Sequence, residues 1–336
     1  MLTDHLPRVT IAHLPTPIEP LPRLTDHLQG PELWVKRDDQ TGLATGGNKT
    51  RKLEFLVADA LRRGADTLIT CGAAQSNHAR QTAAAAAKFG LHRVLVLRGD
   101  PPAAVDGNLL LDHLLGADLV WAGDQPLDET MDQVADRLQR QGLRPYIVPY
   151  GGSNPVGAAA YVAAMEEFLA QCEDRDIVFH QIVLPSSSGG TQAGLSLGAR
   201  ALNYQGHILG VSVDPHADAL RQALARLAAA TADHLGLEIA PQPADFDVND
   251  DYLGQGYGVV SDLEREAITT LARVEGLLLD PVYTGRASGG LLDLIARGAF
   301  RQDERVLFWH TGGTAGLFGK RRSLPPAYAP GTPSHE

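Results

Sequence analysis

The chain of 336 residues predicts an α/β protein built on two open, mostly parallel sheets flanked by helices. Two observations carry that prediction. Short apolar runs rich in Val, Ile and Leu alternate with helical stretches through both halves of the chain, which is the pattern of βαβ units. The length then favours two lobes over one core. No self-similarity at a fixed short period is present, which argues against a solenoid.

Taken in order, the first 32 residues hold Pro7, Pro15, Pro17, Pro20, Pro22 and Pro31 and read as extended segments and turns, not as a long opening helix. Leu33-Trp34-Val35-Lys36 reads as a short strand that runs into Arg37-Asp38-Asp39-Gln40 and a glycine-rich turn. From Asn48, placed as an N-cap, Leu53, Leu56, Val57, Ala60 and Leu61 recur at helical spacing until Gly64. Strand-like Thr67-Leu68-Ile69-Thr70 is followed by a helix from Gln75 to Phe89, a strand at Arg93 to Leu97 and a helix from Leu109 to Leu115. Leu119-Val120-Trp121, a helix from Leu127 to Gln141 and a strand at Tyr146 to Pro149 complete an open α/β lobe over about residues 50 to 160.

The second half repeats this grammar. Asp176 to Leu184 reads as a strand run, Thr191 to Asn203 as a helix, Ile208 to Val213 as a strand and Ala217 to Leu235 as a long helix. Glu238 to Gly258 is acidic and reads as irregular, Leu263 to Glu275 as a helix and Arg305 to His310 as a late core strand. The tail from Pro325 reads as a loose terminus.

Composition narrows the function. A formal net charge of -11 lacks the basic footprint of a phosphate-backbone binder, so no nucleic-acid partner is expected. No apolar run nears the ~20 residues that span a bilayer, and no signal peptide is recognisable, so a cytoplasmic protein without a membrane partner is expected. Cys71 and Cys172 are too few for a disulfide framework and read as reduced thiols. No cluster of His, Cys and carboxylates has metal-ligand spacing, so no metal is expected.

The chemistry centres on Gly46-Gly47-Asn48-Lys49-Thr50-Arg51-Lys52. Cations are disfavoured at a helix N-terminus, so a lysine in the first turn calls for another reason. A lysine made neutral by burial or by neighbouring positive potential forms a Schiff base with an aldehyde cofactor; the alternative is a solvated loop lysine. At a strand-to-helix turn, Gln75-Ser76-Asn77-His78 places a hydroxyl and an amide where open sheets gather ligands. Ser76 reads there as a ligand residue or a simple N-cap. Pro185-Ser186-Ser187-Ser188-Gly189-Gly190-Thr191 follows a strand and opens a helix, with small residues that let backbone N–H groups approach an anion. It lacks the Gly-Lys-Ser/Thr of a nucleotide loop, so a monophosphate fits best. Asp280-Pro281-Val282-Tyr283-Thr284 and His310-Thr311-Gly312-Gly313 are further hydroxyl-rich turns. Tyr283 is a candidate acid or base if a nearby cation lowers its phenol, and otherwise a packing residue. His310 reads as a core histidine.

In this order the parts resemble the tryptophan-synthase-β-like, fold type II enzymes that use pyridoxal 5'-phosphate. The lysine motif, Gln75-Ser76-Asn77-His78 and Asp280-Pro281-Val282-Tyr283 are similar to the branch of D-cysteine desulfhydrases and 1-aminocyclopropane-1-carboxylate deaminases, from about Leu14 to Gly319. The resemblance implies a small mobile domain over 48–161 and a large cofactor-binding domain over 1–47 and 162–336, with the cofactor in the cleft between them. It implies covalent attachment at Lys49, contact of Asn77 with the cofactor's phenolic oxygen, and a phosphate held by Ser188, Gly189, Gly190 and Thr191. Ser76, Asn77, His78, Tyr257 and Tyr283 would meet a small amino-acid substrate, Ser76 receiving its carboxylate or assisting proton transfer. Lys49 is the leading base for the α-proton, with Tyr283 or Ser76 as rivals, and a homodimer is expected.

Two positions split that branch. The ring-opening deaminases carry Glu after the Val-Tyr and Leu in the strand-end His-x-Gly-Gly, where this chain has Thr284 and Thr311. A threonine facing the pyridine nitrogen makes a weaker electron sink than a carboxylate, which favours β-elimination from a substrate with a good leaving group. D-Cysteine desulfhydration is the expected activity, with L-cysteate sulfite-lyase activity as the alternative and cyclopropane opening behind both. Arg98, Arg286 and His78 are the candidates for holding a sulfonate. A serine hydrolase built on Ser76, or a cofactor-binding protein without turnover, are the competing classes.

Overall fold

The computed structural model describes residues 1–324, so the expectation for the tail from Pro325 lies outside the described residues. In chain order the elements are β1 (Ile18–Pro20), α1 (Pro22–Leu28), β2 (Glu32–Lys36), α2 (Lys49–Arg62), β3 (Thr67–Gly72), α3 (Asn77–Lys88) and β4 (His92–Leu97). Next come α4 (Gly107–Leu114), β5 (Asp118–Trp121), α5 (Leu127–Arg140), β6 (Pro145–Ile147), α6 (Pro155–Arg175), β7 (Gln181–Ser186) and α7 (Gly190–Ala201). The chain continues through β8 (His207–Ser212), α8 (Ala217–Leu235), β9 (Asp247–Asn249), α9 (Asp262–Glu275), α10 (Thr284–Ala296), β10 (Arg305–Trp309) and α11 (Ala315–Gly319).

Two sheets result. One has six strands in the order β1-β2-β10-β7-β8-β9, and the other four in the order β5-β4-β3-β6. All pairs are parallel except β1 with β2. The six-stranded sheet is buried on both faces, as a parallel sheet covered by helices must be. Along β10, Val306 and Phe308 join one core cluster while Leu307 and Trp309 join the other, because successive side chains point to opposite faces.

Helix α6 is absent from the sequence reading, and its surroundings explain why. It is buried over most of its circumference, from Gly157 to Cys172, and packs against α2, α7 and α8, so it has no polar stripe to set a period. The local signal was its start: Asn154 caps Gly157 N at 2.9 Å and Pro155 occupies the first turn. Its end corrects the expected strand from Asp176. That residue is the left-handed C-cap of α6 at φ 54°, and pairing begins only at Gln181. Helix α10 is likewise absent from the sequence reading, and it carries the pair Gly289 and Gly290 in its interior. They admit Leu263 and Tyr252, whose atoms lie 2.6 and 2.8 Å from where a Cβ would stand. Helix α1 forms despite the proline-rich start, with Pro22 at its first position.

Candidate active site

Ligands in open parallel sheets gather at the carboxyl ends of the strands, and three neighbouring strands deliver the site segments there. Strands β2, β10 and β7 are adjacent in the sheet, so the segments that follow them, 37–49, 310–314 and 187–190, meet at one edge. From the other sheet, β3 leads into Ser76, Asn77 and His78, and β6 leads into Tyr150, Gly151 and Ser153.

A single pocket gathers Lys49, Ser76, Asn77 and His78 on one side and Ser188, Gly189, Thr191, Tyr283 and Thr311 on the other. Gly190, Tyr257 and Thr284, also expected at the site, are not on its wall. Gly190 begins α7 immediately behind the loop, and Tyr257 stands behind the pocket-lining Tyr283, the two hydroxyls being 2.5 Å apart. The Thr284 hydroxyl is committed to Asp280, donating to Oδ1 at 2.9 Å and accepting from the Asp280 backbone N–H at 2.7 Å. Its one proton and one lone pair are therefore engaged within its own turn.

Lys49 opens α2, and its Nζ donates to Asn48 Oδ1 at 3.0 Å. Burial lowers its pKa to about 8, against the opposing pull of Asp280, so a useful fraction of the amine is neutral. Asn48 does not cap α2, having helical φ/ψ and no cap bond; its amide instead donates to Thr191 Oγ1 at 3.0 Å, tying the lysine turn to α7. Ser76 does cap α3, accepting from Ala79 N at 3.1 Å. Asn77 Oδ1 is taken by Asn108 Nδ2 at 2.9 Å, which leaves the Asn77 amide nitrogen for the pocket.

The phenol of Tyr283 departs from expectation. Burial and the adjoining Tyr150 and Tyr257 phenols push its pKa well above the ordinary tyrosine value, so it keeps its proton. Tyr150 lines the pocket and was not singled out by sequence. His310 is a satisfied core residue, with Gly312 N donating to Nδ1 at 3.1 Å and Nε2 lying 3.2 Å from Leu278 O.

At the anion end, Gly189 adopts φ 82°, the left-handed region, and Gly190 N donates to Ser153 Oγ at 3.1 Å. Lys52 is the residue that sequence reasoning passed over. It is buried, its Nζ donates to Gly151 O at 3.0 Å and Ser153 Oγ at 3.3 Å, and a Cβ on Gly190 would stand 2.7 Å from it. Burial, with Lys49 as a second cation, drives its pKa well below the ordinary lysine value. A buried ammonium without a carboxylate partner beside a helix N-terminus fits a phosphate. With the aldehyde-reactive amine of Lys49 on the pocket wall nearby, the residues fit a phosphorylated aldehyde.

Arg98 is exposed, and Arg286 is buried in an ion pair with Glu264 at 2.6 Å. Of the three sulfonate candidates only His78 lines the pocket, and burial drives it toward the neutral form. Among the described residues no three His, Cys, Asp or Glu side chains converge as a metal site would require.

A family profile described as "Pyridoxal-phosphate dependent enzyme" matches residues 9–312. The chain is 46% identical over 319 residues to a D-cysteine desulfhydrase of Klebsiella pneumoniae (strain 342), covering 93% of this chain and 95% of that one. It is also 46% identical to a D-cysteine desulfhydrase of Salmonella typhi over 326 residues, with the same coverage. Among solved structures, one described as an ACC deaminase homologue superposes with a TM-score of 0.87 at 39% identity, covering 96% of this chain and 97% of the other.

Proposed function

The chain belongs to the pyridoxal-phosphate dependent enzymes, and from that premise we propose that it is a carbon–sulfur lyase that converts D-cysteine to pyruvate, sulfide and ammonia. The observation that carries the proposal is the pairing of a low-pKa Lys49 with a pocket wall that contains no arginine. Such a wall suits a neutral thiol as the β-substituent and offers an anionic sulfonate no guanidinium. The activity for which the desulfhydrase relatives are named points the same way.

Lys49 would hold the cofactor covalently through Nζ, Lys52 with Ser188, Gly189 and Thr191 would hold its phosphate, and Asn77 its phenolic oxygen. When bound, the cofactor supplies an electron sink for the pair left behind when the substrate's α-proton departs. Lys49 is the base that takes that proton, because its Nζ is the group on the wall whose pKa lies near neutrality. Tyr283, which retains its proton at Oη and lines the pocket, would offer a hydrogen bond to the departing sulfur. The start of α3, with Ser76, receives the substrate carboxylate at the positive end of the helix dipole.

Residues 48–161 are proposed to move as a small domain that closes on the substrate, and the protein to act as a homodimer in the cytoplasm. No helix among the described residues is long and apolar enough to cross a membrane. Pyruvate and sulfide release from D-cysteine, together with a cofactor absorbance lost in Lys49→Ala, tests the assignment. Sulfite from L-cysteate with no pyruvate from D-cysteine would overturn it in favour of the cysteate reaction.

A further inference from the structure

A buried ion pair lies next to the pocket without being part of its wall. Arg286 on α10 and Glu264 on α9 are each 1% exposed, with Nε 2.6 Å from Oε1. Every other bond of the guanidinium goes to a backbone carbonyl: Val213 O at 3.0 Å, Gly256 O at 3.2 Å and Val259 O at 2.8 Å. Two of those carbonyls bracket Tyr257. The second oxygen of Glu264 accepts from Ser261 N at 2.7 Å and from the Ser261 hydroxyl, which closes the capping box of α9. Burial works against the Glu264 carboxylate, but the bonds from Ser261 and Arg286 hold its pKa below the ordinary value.

The segment so gripped has little order of its own. Gly254, Gly256 and Gly258 take φ of 58°, 112° and 74°, and its internal backbone bonds are Gly256 N to Leu253 O at 3.1 Å and Val259 N to Gly256 O at 3.4 Å. Tyr283 sits at the N-terminus of the helix that carries Arg286, three residues earlier. One guanidinium therefore joins the loop of Tyr257 to the helix of Tyr283. Lysine could not replace it: three donors on one nitrogen cannot form the fork that meets a carboxylate and three carbonyls.

We propose that Arg286 is a positioning residue: by holding Gly256 and Val259 it keeps the Tyr257 phenol against the Tyr283 hydroxyl and so fixes where that hydroxyl stands on the pocket wall. The side chain never touches substrate.

The test is a double-mutant cycle of Arg286→Lys with Tyr257→Phe, supported by hydrogen exchange on the cofactor-loaded protein. Each single variant is expected to lower kcat for D-cysteine at least fivefold with KM within threefold, and the double variant to fall no more than twofold below the worse single. Losses that multiply, or an Arg286→Lys enzyme within twofold of wild type, overturn the proposal. Exchange in the peptide covering 253–262 should rise at least tenfold in Arg286→Lys while the rest of the chain keeps its protection. Unchanged or uniformly raised exchange overturns it as well. If Arg286→Lys does not fold, Glu264→Gln gives the same exchange readout. Only the kinetic arm rests on the lyase reading, so a wild type that yields no pyruvate yet shows the localised exchange refutes that reading and leaves the clamp standing.

Discussion

Asn108 Nδ2 donates to Asn77 Oδ1 at 2.9 Å and to the Gln75 carbonyl at 2.9 Å, so a residue of α4 sets the orientation of an amide at the start of α3. With its oxygen engaged, Asn77 can offer the pocket only its NH2. Asn108→Ala releases that constraint without touching the wall. A lost neutral hydrogen bond is worth about 1 kcal/mol, so cofactor affinity should fall about fivefold, alongside a loss of about 1–3 kcal/mol in urea unfolding from the two buried bonds removed. An affinity equal to wild type by absorbance titration would show that Asn77 needs no such support.

Capture of the cofactor by the apoprotein should depend on pH through Lys49. Only a neutral amine adds to an aldehyde. With a pKa of about 8, about a tenth of Lys49 is neutral at pH 7, against about 0.04% for an ordinary lysine near 10.4. The second-order rate should rise about tenfold from pH 6 to 7 and level off above about 8, as read by stopped-flow absorbance. A rate still climbing tenfold per unit at pH 9 would mean that the pocket leaves the amine unperturbed.

Lys52→Met should act with opposite sign on two measurements. Cofactor affinity should fall ten- to a hundredfold, since a hydrogen bond to a charged group is worth about 1.5–3 kcal/mol. The apoprotein should gain thermal stability, because a buried cation without a carboxylate partner is removed. The folded-state pKa of Lys52 lies below its unfolded value, so the unfolded chain binds more protons. The wild-type apoprotein is therefore stabilised as pH rises toward the ordinary lysine value, and the variant lacks that slope. A variant apoprotein less stable than wild type at pH 7 would refute the account.

These residues also show what the sequence could and could not disclose. The lysine turn and the Ser/Gly/Thr loop were legible because their meaning is local: small residues between a strand and a helix have few other uses. Lys52, three residues from Lys49, was not, because its environment comes from Gly151 and Ser153, about a hundred residues away. Asn48 was taken for a cap because caps are local, whereas its amide serves Thr191, 143 residues away. Arg286 carries no local mark, since its partners lie just after β8, on α9 and in the loop between 253 and 260. The alternating strands predicted both sheets, but α6 was hidden by its own burial.

Beneath the lysine turn, Asp38 accepts from Arg51 Nε at 3.0 Å, Tyr161 at 2.7 Å, Trp309 Nε1 at 2.8 Å and Thr16 at 2.9 Å, and Arg51 also reaches Glu167 Oε2 at 2.8 Å. Burial opposes the Asp38 charge, but Arg51 and these donors hold its pKa below the ordinary aspartate value. The unfolded state therefore protonates first as pH falls. In the wild type this stabilisation is complete above the ordinary aspartate range and is lost as pH drops toward the folded-state value. Arg51→Met leaves a buried carboxylate without its main counter-ion, a change expected to cost about 3–5 kcal/mol at pH 7. It also reverses the sign for Asp38, whose folded pKa should then rise above the unfolded one, so that the variant gains from acid where the wild type loses. Urea unfolding at pH 7 and pH 4.5 should show the gap between the two proteins narrowing at the lower pH. A gap that is constant, or wider in acid, would mean that Arg51 stabilises α2 by packing alone and that the charge of Asp38 has no part in holding Lys49 in place.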